Sequence, residues 1–257
     1  MKKYISDFIV ESIDKLHANY GLIKLKPCEG VLPEILPGQF CQVEIKNSKS
    51  TFLRRPISVN YVDYENNLLW LLVRRAGDGT NTLVDVAVGS VVNIMYPLGN
   101  GFSIPNDKTK RLLLIGGGVG VAPLLYFGEK LKQLGIEVNF LLGVRSDKDL
   151  LELEEFESRG NVYLSTEDGS KGEVGFVTTH SVLNEKWDMI SCCGPMPMMK
   201  AVARYAVDCG VDCEVSLENV MACGLGACLC CVEDTSDHGN VCVCKEGPVF
   251  NIKRLKW

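Results

Sequence analysis

Cysteines crowd the run MACGLGACLCCVEDTSDHGNVCVCKEGPVF near the C-terminus, and four of them can act together: Cys223, Cys228, Cys231 and either Cys242 or Cys244. The first three are spaced C-x(4)-C-x(2)-C, a spacing that lets thiolates converge on two irons from one short loop. Gly224 and Gly226 lie inside that loop, and residues without Cβ tolerate positive φ and let backbone approach bridging sulfurs. The chemistry implied is one-electron transfer by a 2Fe-2S cluster. Cys230 adjoins Cys231 and points elsewhere in an extended loop. The fourth ligand is open, because a strand through Val241, Cys242, Val243 and Cys244 would put both thiols on one face. Four thiolates also suit a structural zinc ion, although such sites more often show two paired C-x(2)-C knuckles.

Two further segments are fit to hold phosphate. Gly116, Gly117, Gly118, Val119 and Gly120 follow the apolar stretch RLLLI and precede a helical pattern with Pro123 near its start, the context a phosphate-cradling loop requires. The loop departs from G-x-G-x-x-G, since Val121 holds the third glycine position. Arg145, Ser146 and Asp147 close the next strand. Arg145 suits an NADP 2′-phosphate and Asp147 a ribose hydroxyl, so NAD and NADP stay open on these residues. Cys193, Gly194 and Pro195 end a later strand at the same sheet edge, where open α/β sheets bind ligands. Nearer the N-terminus, Arg74 to Thr80 precede a short apolar helical stretch over 81–88, with Thr80 as its expected N-cap. Backbone N–H groups there attract a phosphate, and Gly79 lets it come close.

These residues need elements to position them. Up to about Phe102, short apolar stretches punctuated by Gly and Pro predict a small antiparallel β-barrel. From Arg111, strand and helix patterns alternate, including KDLLELEEFESRG as a helix, which predicts a parallel sheet covered by helices. Asn106, Asp107 and Lys108 are the expected linker. The piece from about Ser216 is too short to build an apolar core and is expected to depend on its metal to fold. The fold class is therefore multi-domain: a β-barrel over 1–103, an α/β domain over 104–215 and a small cluster segment over 216–257.

Composition narrows the partners. The chain has 257 residues, 46% of them hydrophobic, and a net charge of -5 without a Lys/Arg block, which speaks against nucleic acid. The N-terminus mixes Ser, Asp, Glu and Lys into its apolar positions, so no signal peptide is expected. The longest apolar runs are too short to cross a bilayer. A soluble, cytoplasmic protein with reduced thiols is expected, since its twelve cysteines come without a secretory signal. His17, His180 and His238 form no triad, so no general acid or base is assigned and no catalytic residue is named.

Several motifs carry family resemblances. The C-x(4)-C-x(2)-C loop resembles that of plant-type ferredoxins. Arg55, Pro56, Ile57 and Ser58 resemble the flavin motif of the ferredoxin reductase superfamily. That resemblance implies the Arg55 guanidinium on the FAD pyrophosphate, where planar donors match phosphate oxygens, with Ser58 near the isoalloxazine edge. LRRPIS, the Gly79-Thr80 turn, YPLGNGF at 96–102, GGGVGVAPL, CGPMPMM and MACGLGACLCCV with CKEGPVF, in this order, resemble the electron-transfer subunits of heteromeric NAD-linked dihydroorotate dehydrogenases. The resemblance implies that Gly-Pro-Val-Phe follows the last cluster cysteine, which selects Cys244, and that Leu72, Val73 and Arg74 line FAD beside Gly79 and Thr80. It further implies FAD, a 2Fe-2S cluster and NAD as co-substrate, within pyrimidine biosynthesis. A partner subunit would oxidise dihydroorotate on FMN, as a heterotetramer of two of each chain. The alternatives are a subunit of a ferredoxin-linked NAD(P)H reductase, transhydrogenase or sulfide dehydrogenase, and a non-catalytic zinc-binding module. In the reductase alternatives an Asp stands in place of Cys223.

Overall fold

A computed structural model describes residues 2–46, 48, 50–105 and 111–257. The expected linker residues Asn106, Asp107 and Lys108 lie outside the described residues. The chain divides into two compact units.

The first unit comprises Met1–Gly101, Glu218–Glu233 and Asn240–Pro248. Its strands are β1 (Tyr4–His17), β2 (Tyr20–Pro27), β3 (Phe40–Val43), β4 (Arg55–Ser58), β5 (Tyr61–Asp63), β6 (Leu68–Arg74) and β7 (Val91–Leu98), with one helix, α1 (Asp78–Val84). They form one sheet in the order β4-β3-β7-β1-β2-β6-β5, with antiparallel pairing throughout. β4 also packs against β6, so the sheet curls on itself. Alternation drives this arrangement: Phe8 and Val10 on β1 are buried while their neighbours Asp7 and Ile9 are exposed, the pattern of a strand with one covered face.

The second unit comprises Phe102–Leu217, Asp234–Gly239 and Val249–Trp257. It contains β8 (Leu112–Gly117), α2 (Ala122–Gln133), β9 (Val138–Val144), α3 (Leu153–Glu157), β10 (Asn161–Thr166), β11 (Glu173–Val174), β12 (Met189–Cys193), α4 (Met196–Cys209) and β13 (Asp212–Ser216). β16 (Val249–Asn251) also belongs to this unit, the one-turn helix α5 (Val243–Glu246) belongs to the first, and β14 (Val232–Thr235) and β15 (Gly239–Cys242) pair as a separate hairpin. The second sheet runs β11-β10-β9-β8-β12-β13-β16, parallel except for β16, which runs antiparallel to β13. Every residue of β8 and of β12 is buried, as strands covered by helices on both faces require. From β8 the chain winds one way through β9 and β10, then returns to β12 on the other side. The switch point between β8 and β12 is where such sheets leave a crevice.

Two elements differ from the sequence pattern. KDLLELEEFESRG predicts one helix, but the chain forms a short 3₁₀ turn over Asp147–Asp149 and then only the five-residue α3. Glu152 between them takes φ 52°, a left-handed conformation that breaks the helix, while Leu151 turns into the core. Thr80 is not the N-cap. Helix α1 starts at Asp78 with Gly77 as its cap, and the Thr80 hydroxyl accepts the N–H groups of Ala76 at 2.9 Å and Gly77 at 3.3 Å. The same residue type thus serves the helix start from its third position.

Candidate functional site

Nothing between β13 and β14 is strand or helix, and this is where Cys223, Cys228 and Cys231 lie. The loop is held to sulfur instead. Leu225 N–H donates to Cys223 Sγ at 3.3 Å, Gly226 N–H to Cys244 Sγ at 3.1 Å, and Cys244 N–H to Cys231 Sγ at 3.4 Å. Neighbouring thiols also act on one another: that of Cys228 lowers the pKa of Cys223, and that of Cys231 raises the pKa of Cys244. Burial works against ionisation of Cys223. The N–H groups of Leu225, Cys228 and Ala227, with the Cys228 thiol, nonetheless hold its pKa down at about 6, so the loop already favours a thiolate. Cys244 is pushed up to about 12 by burial and by the Cys231 thiol, against the pull of the Gly226 N–H; metal binding would have to displace that proton.

Cys242 and Cys244 do not share a strand face. β15 ends at Cys242 and Cys244 sits inside α5. The Cys242 thiol turns to the Gly226 carbonyl at 3.7 Å, whereas Cys244 is fully buried beside Cys231. Among the described residues no three His, Cys, Asp or Glu side chains converge as a single-ion site requires. The N–H groups aimed at sulfur suit an anionic cluster. Cys230 is exposed.

α5 is fixed by a motif whose role the sequence left unassigned. In YPLGNGF, Asn100 N–H donates to the Gly247 carbonyl at 2.6 Å, and its side-chain amide donates to the carbonyls of Lys245 and Glu246 at 3.2 and 3.0 Å. The last carbonyls of a helix otherwise lack partners. Asn100 therefore holds the turn that carries Cys244, a role visible only in three dimensions.

The two expected phosphate sites of the first unit meet in one place. Arg55 donates to the Leu53 carbonyl at 2.9 Å and reaches Thr51 Oγ1 at 3.5 Å. A Cβ on Gly79 would lie 3.0 Å from both Arg55 Nε and Thr51 Oγ1. Arg55, Thr51 and Gly79 thus form one cradle of a cation, a hydroxyl and bare backbone, and this donor set fits a pyrophosphate. Pro56, Ile57 and Ser58 continue along β4, half-buried. Leu72 and Val73 are buried in β6, 3% and 1% exposed, so they would offer a flavin backbone rather than side chain, while Arg74 is exposed.

In the second unit, Gly116 and Gly117 end β8, and Gly118 and Gly120 sit in the 3₁₀ turn Gly118–Val121 that leads into α2. Cys193 pairs with Gly116 across β12 and β8. A Cβ on Gly120 would stand 2.5 Å from Gly194 Cα and 2.6 Å from the Cys193 carbonyl oxygen, so only glycine lets these backbones pass. The glycine loop and Cys193, Gly194 and Pro195 consequently face each other across the switch point, and Pro123 lies in the first turn of α2. Arg145 and Asp147 are both exposed. The Asp147 N–H is taken by Ser170 Oγ at 2.8 Å.

His17 is half-buried and His238 is exposed. His180 is buried and accepts the Val182 N–H at 3.0 Å as a helix cap.

Residues 218–256 match a family described as the iron-sulfur cluster binding domain of dihydroorotate dehydrogenase B, and residues 114–204 match an oxidoreductase NAD-binding domain. A relative from Shouchella clausii, named dihydroorotate dehydrogenase B (NAD(+)), electron transfer subunit, is 40% identical over 95% of this chain and 95% of its own. One of the same name from Caldanaerobacter subterraneus is 41% identical over 83% of this chain and 84% of its own. Among solved structures, one described as an NADH-dependent reduced ferredoxin-NADP oxidoreductase superposes with a TM-score of 0.85 at 27% identity, over 97% of this chain and 90% of that one. The FAD/NAD-binding domain of a Vibrio cholerae nitric oxide dioxygenase shares the fold, with a TM-score of 0.70 at 23% identity, over 82% and 98% of the two chains.

Proposed function

Because the chain belongs to the family of electron transfer subunits of NAD-linked dihydroorotate dehydrogenase B, we propose how it divides the work with a catalytic partner subunit. The chain is an oxidoreductase subunit that uses FAD, a 2Fe-2S cluster and NAD in the electron transport of pyrimidine biosynthesis. The cluster supplies single-electron transfer, and the flavin joins single electrons to the hydride that nicotinamide takes.

The observation that carries the reading is that backbone N–H groups turn to the sulfurs of Cys223, Cys231 and Cys244. Cys223, Cys228, Cys231 and Cys244 would hold the cluster. Arg55 would bind the FAD pyrophosphate with Gly79 and Thr80 beside it, and Pro56, Ile57, Ser58, Leu72, Val73 and Arg74 would line the flavin. Gly116, Gly117, Gly118 and Gly120, with Cys193, Gly194 and Pro195, would receive NAD at the switch point. By this reading 1–103 is the FAD domain, 104–215 the NAD domain and 216–257 the cluster segment.

The catalytic partner oxidises dihydroorotate on FMN, and two copies of each chain assemble in the cytoplasm. Support for a partner near the cysteine loop comes from Leu225 and Leu229, which are 45% and 66% exposed beside the exposed Cys228. Among the described residues no helix is long and apolar enough to cross a membrane. Co-expression with a candidate catalytic chain, followed by co-purification and an assay of dihydroorotate-dependent NAD reduction, tests the reading. A stable complex that reduces NAD only when both chains are present is expected. A loaded, folded chain that forms no such complex and accepts no electrons from one would overturn it.

A further inference from the structure

One buried polar side chain beside the cysteine loop has no hydrogen-bond partner among the described residues. Gln42 on β3 is 0% exposed, and among the described residues neither its Oε1 nor its Nε2 meets a hydrogen-bond partner. A buried amide left without a partner is costly, and native structures rarely keep one without a reason. Its position supplies a reason. A Cβ built on Gly224 would stand 2.9 Å from Gln42 Cγ and 3.2 Å from Gln42 Nε2, with Leu98 Cδ1 also at 3.2 Å. The carboxamide therefore lies against the backbone between Cys223 and Leu225, in a wall otherwise made of Leu98. Gly224 has φ +69° and no side chain, and both properties are what let the loop settle on Gln42.

Gln42 also touches the flavin motif through its strand. It stands directly opposite Pro56 in the β3–β4 register, and directly paired residues of an antiparallel sheet share a face. The side chain thus comes from the strand next to Arg55, Pro56, Ile57 and Ser58 and ends at the cysteine loop.

We propose, on the reading that Cys223, Cys228, Cys231 and Cys244 hold a 2Fe-2S cluster, that Gln42 donates its side-chain N–H to the sulfur of that cluster and raises its reduction potential. A donor to sulfur stabilises the reduced, more negative cluster over the oxidised one, and hydrogen bonds to sulfur are among the factors that set these potentials. Gln42 is a positioning and tuning residue and takes no part in bond making.

Two measurements on the anaerobically loaded full chain test this. Pulsed EPR of the reduced cluster, in protein made cell-free with side-chain-amide ¹⁵N-glutamine, should show a weak ¹⁵N coupling. Gln39 and Gln133 also carry the label, so the coupling must vanish in Gln42→Met or, if that variant does not load, in Gln42→Leu. Redox titration of Gln42→Met should favour the oxidised cluster about tenfold, which for one electron is a potential about 59 mV more negative. The FAD potential should move much less. A wild-type cluster signal with no ¹⁵N coupling overturns the proposal without any variant, as does an unchanged cluster potential in Gln42→Met. A chain that shows flavin but no 2Fe-2S signal at all overturns the cluster reading together with it.

Discussion

The glycine loop after β8 and the cysteine loop at 223–231 are both built to receive a guest, and they are held by opposite means. The first hangs from a fully buried strand in the middle of a seven-stranded sheet. Its path is set by backbone packing, with Gly120 pressed against Gly194 and Cys193. The second has no strand or helix of its own between β13 and β14, and the N–H groups of Leu225 and Gly226 in it donate to cysteine sulfur. A loop fixed by the sheet keeps its shape whether or not a dinucleotide is bound. A loop whose donors point at thiols gets most of its order from what the thiols hold.

The strongest way to break this comparison is to remove ligands from the second loop. Cys223→Ala or Cys228→Ala should abolish the visible absorbance of the cluster while FAD stays bound, read by the separate flavin and cluster bands of one spectrum. Full cluster content in both variants would show that other residues hold the metal. Hydrogen exchange of the same variants sharpens the point: protection should fall over 218–233 and stay unchanged over Leu112–Gly117.

A smaller effect is expected at the flavin cradle. Arg55→Ala removes charge-assisted hydrogen bonds of about 1.5–3 kcal/mol, so FAD should dissociate about ten to a hundred times more readily. Flavin stoichiometry after dilution and gel filtration measures this, and retention equal to wild type would detach Arg55 from the pyrophosphate. Gly120→Ala strains the sheet-held loop by about 1–3 kcal/mol. The expected result is a raised KM for NAD with cluster content untouched, because the variant lies in the loop that packing alone maintains. Smallest of all is Cys242→Ser. The Cys242 thiol donates to the Gly226 carbonyl, and although Cys231, Cys223 and Cys228 are near enough to raise its pKa it lies outside the α5 turn that carries Cys244, so cluster content should stay at wild-type level while Cys244→Ser loses it. Equal loss in both would return the fourth ligand to the open state in which the sequence leaves it.

What could be read in the sequence follows the same division. Local patterns were sufficient for the two sheets, because alternation in β1 and continuous apolar runs in β8 and β12 each encode the number of covered faces. The spacing of Cys223, Cys228 and Cys231 was sufficient to bring three thiols into one loop. Choosing Cys244 over Cys242 was beyond periodicity, since α5 interrupts the strand that the alternation suggests. Residues whose work is done at long range left no local mark. Asn100 reads as a turn residue, yet it holds the carbonyls of Lys245 and Glu246. Nothing in the local sequence marks Gln42 or Thr51, which are buried against Gly224 and Gly79. Glu152 carries no glycine or proline signal, although its left-handed backbone ends one expected helix and starts a shorter one.

The central claim is that four cysteines of this chain hold a 2Fe-2S cluster in a protein that also carries FAD. Iron, zinc, acid-labile sulfide and flavin analysis of the anaerobically purified chain, with EPR after dithionite reduction, tests it most directly. Iron and sulfide in equal amounts, one FAD and one reduced-cluster spin for each chain are expected, with the spin lost in Cys244→Ala and the flavin retained. Zinc without iron, sulfide or flavin would contradict it.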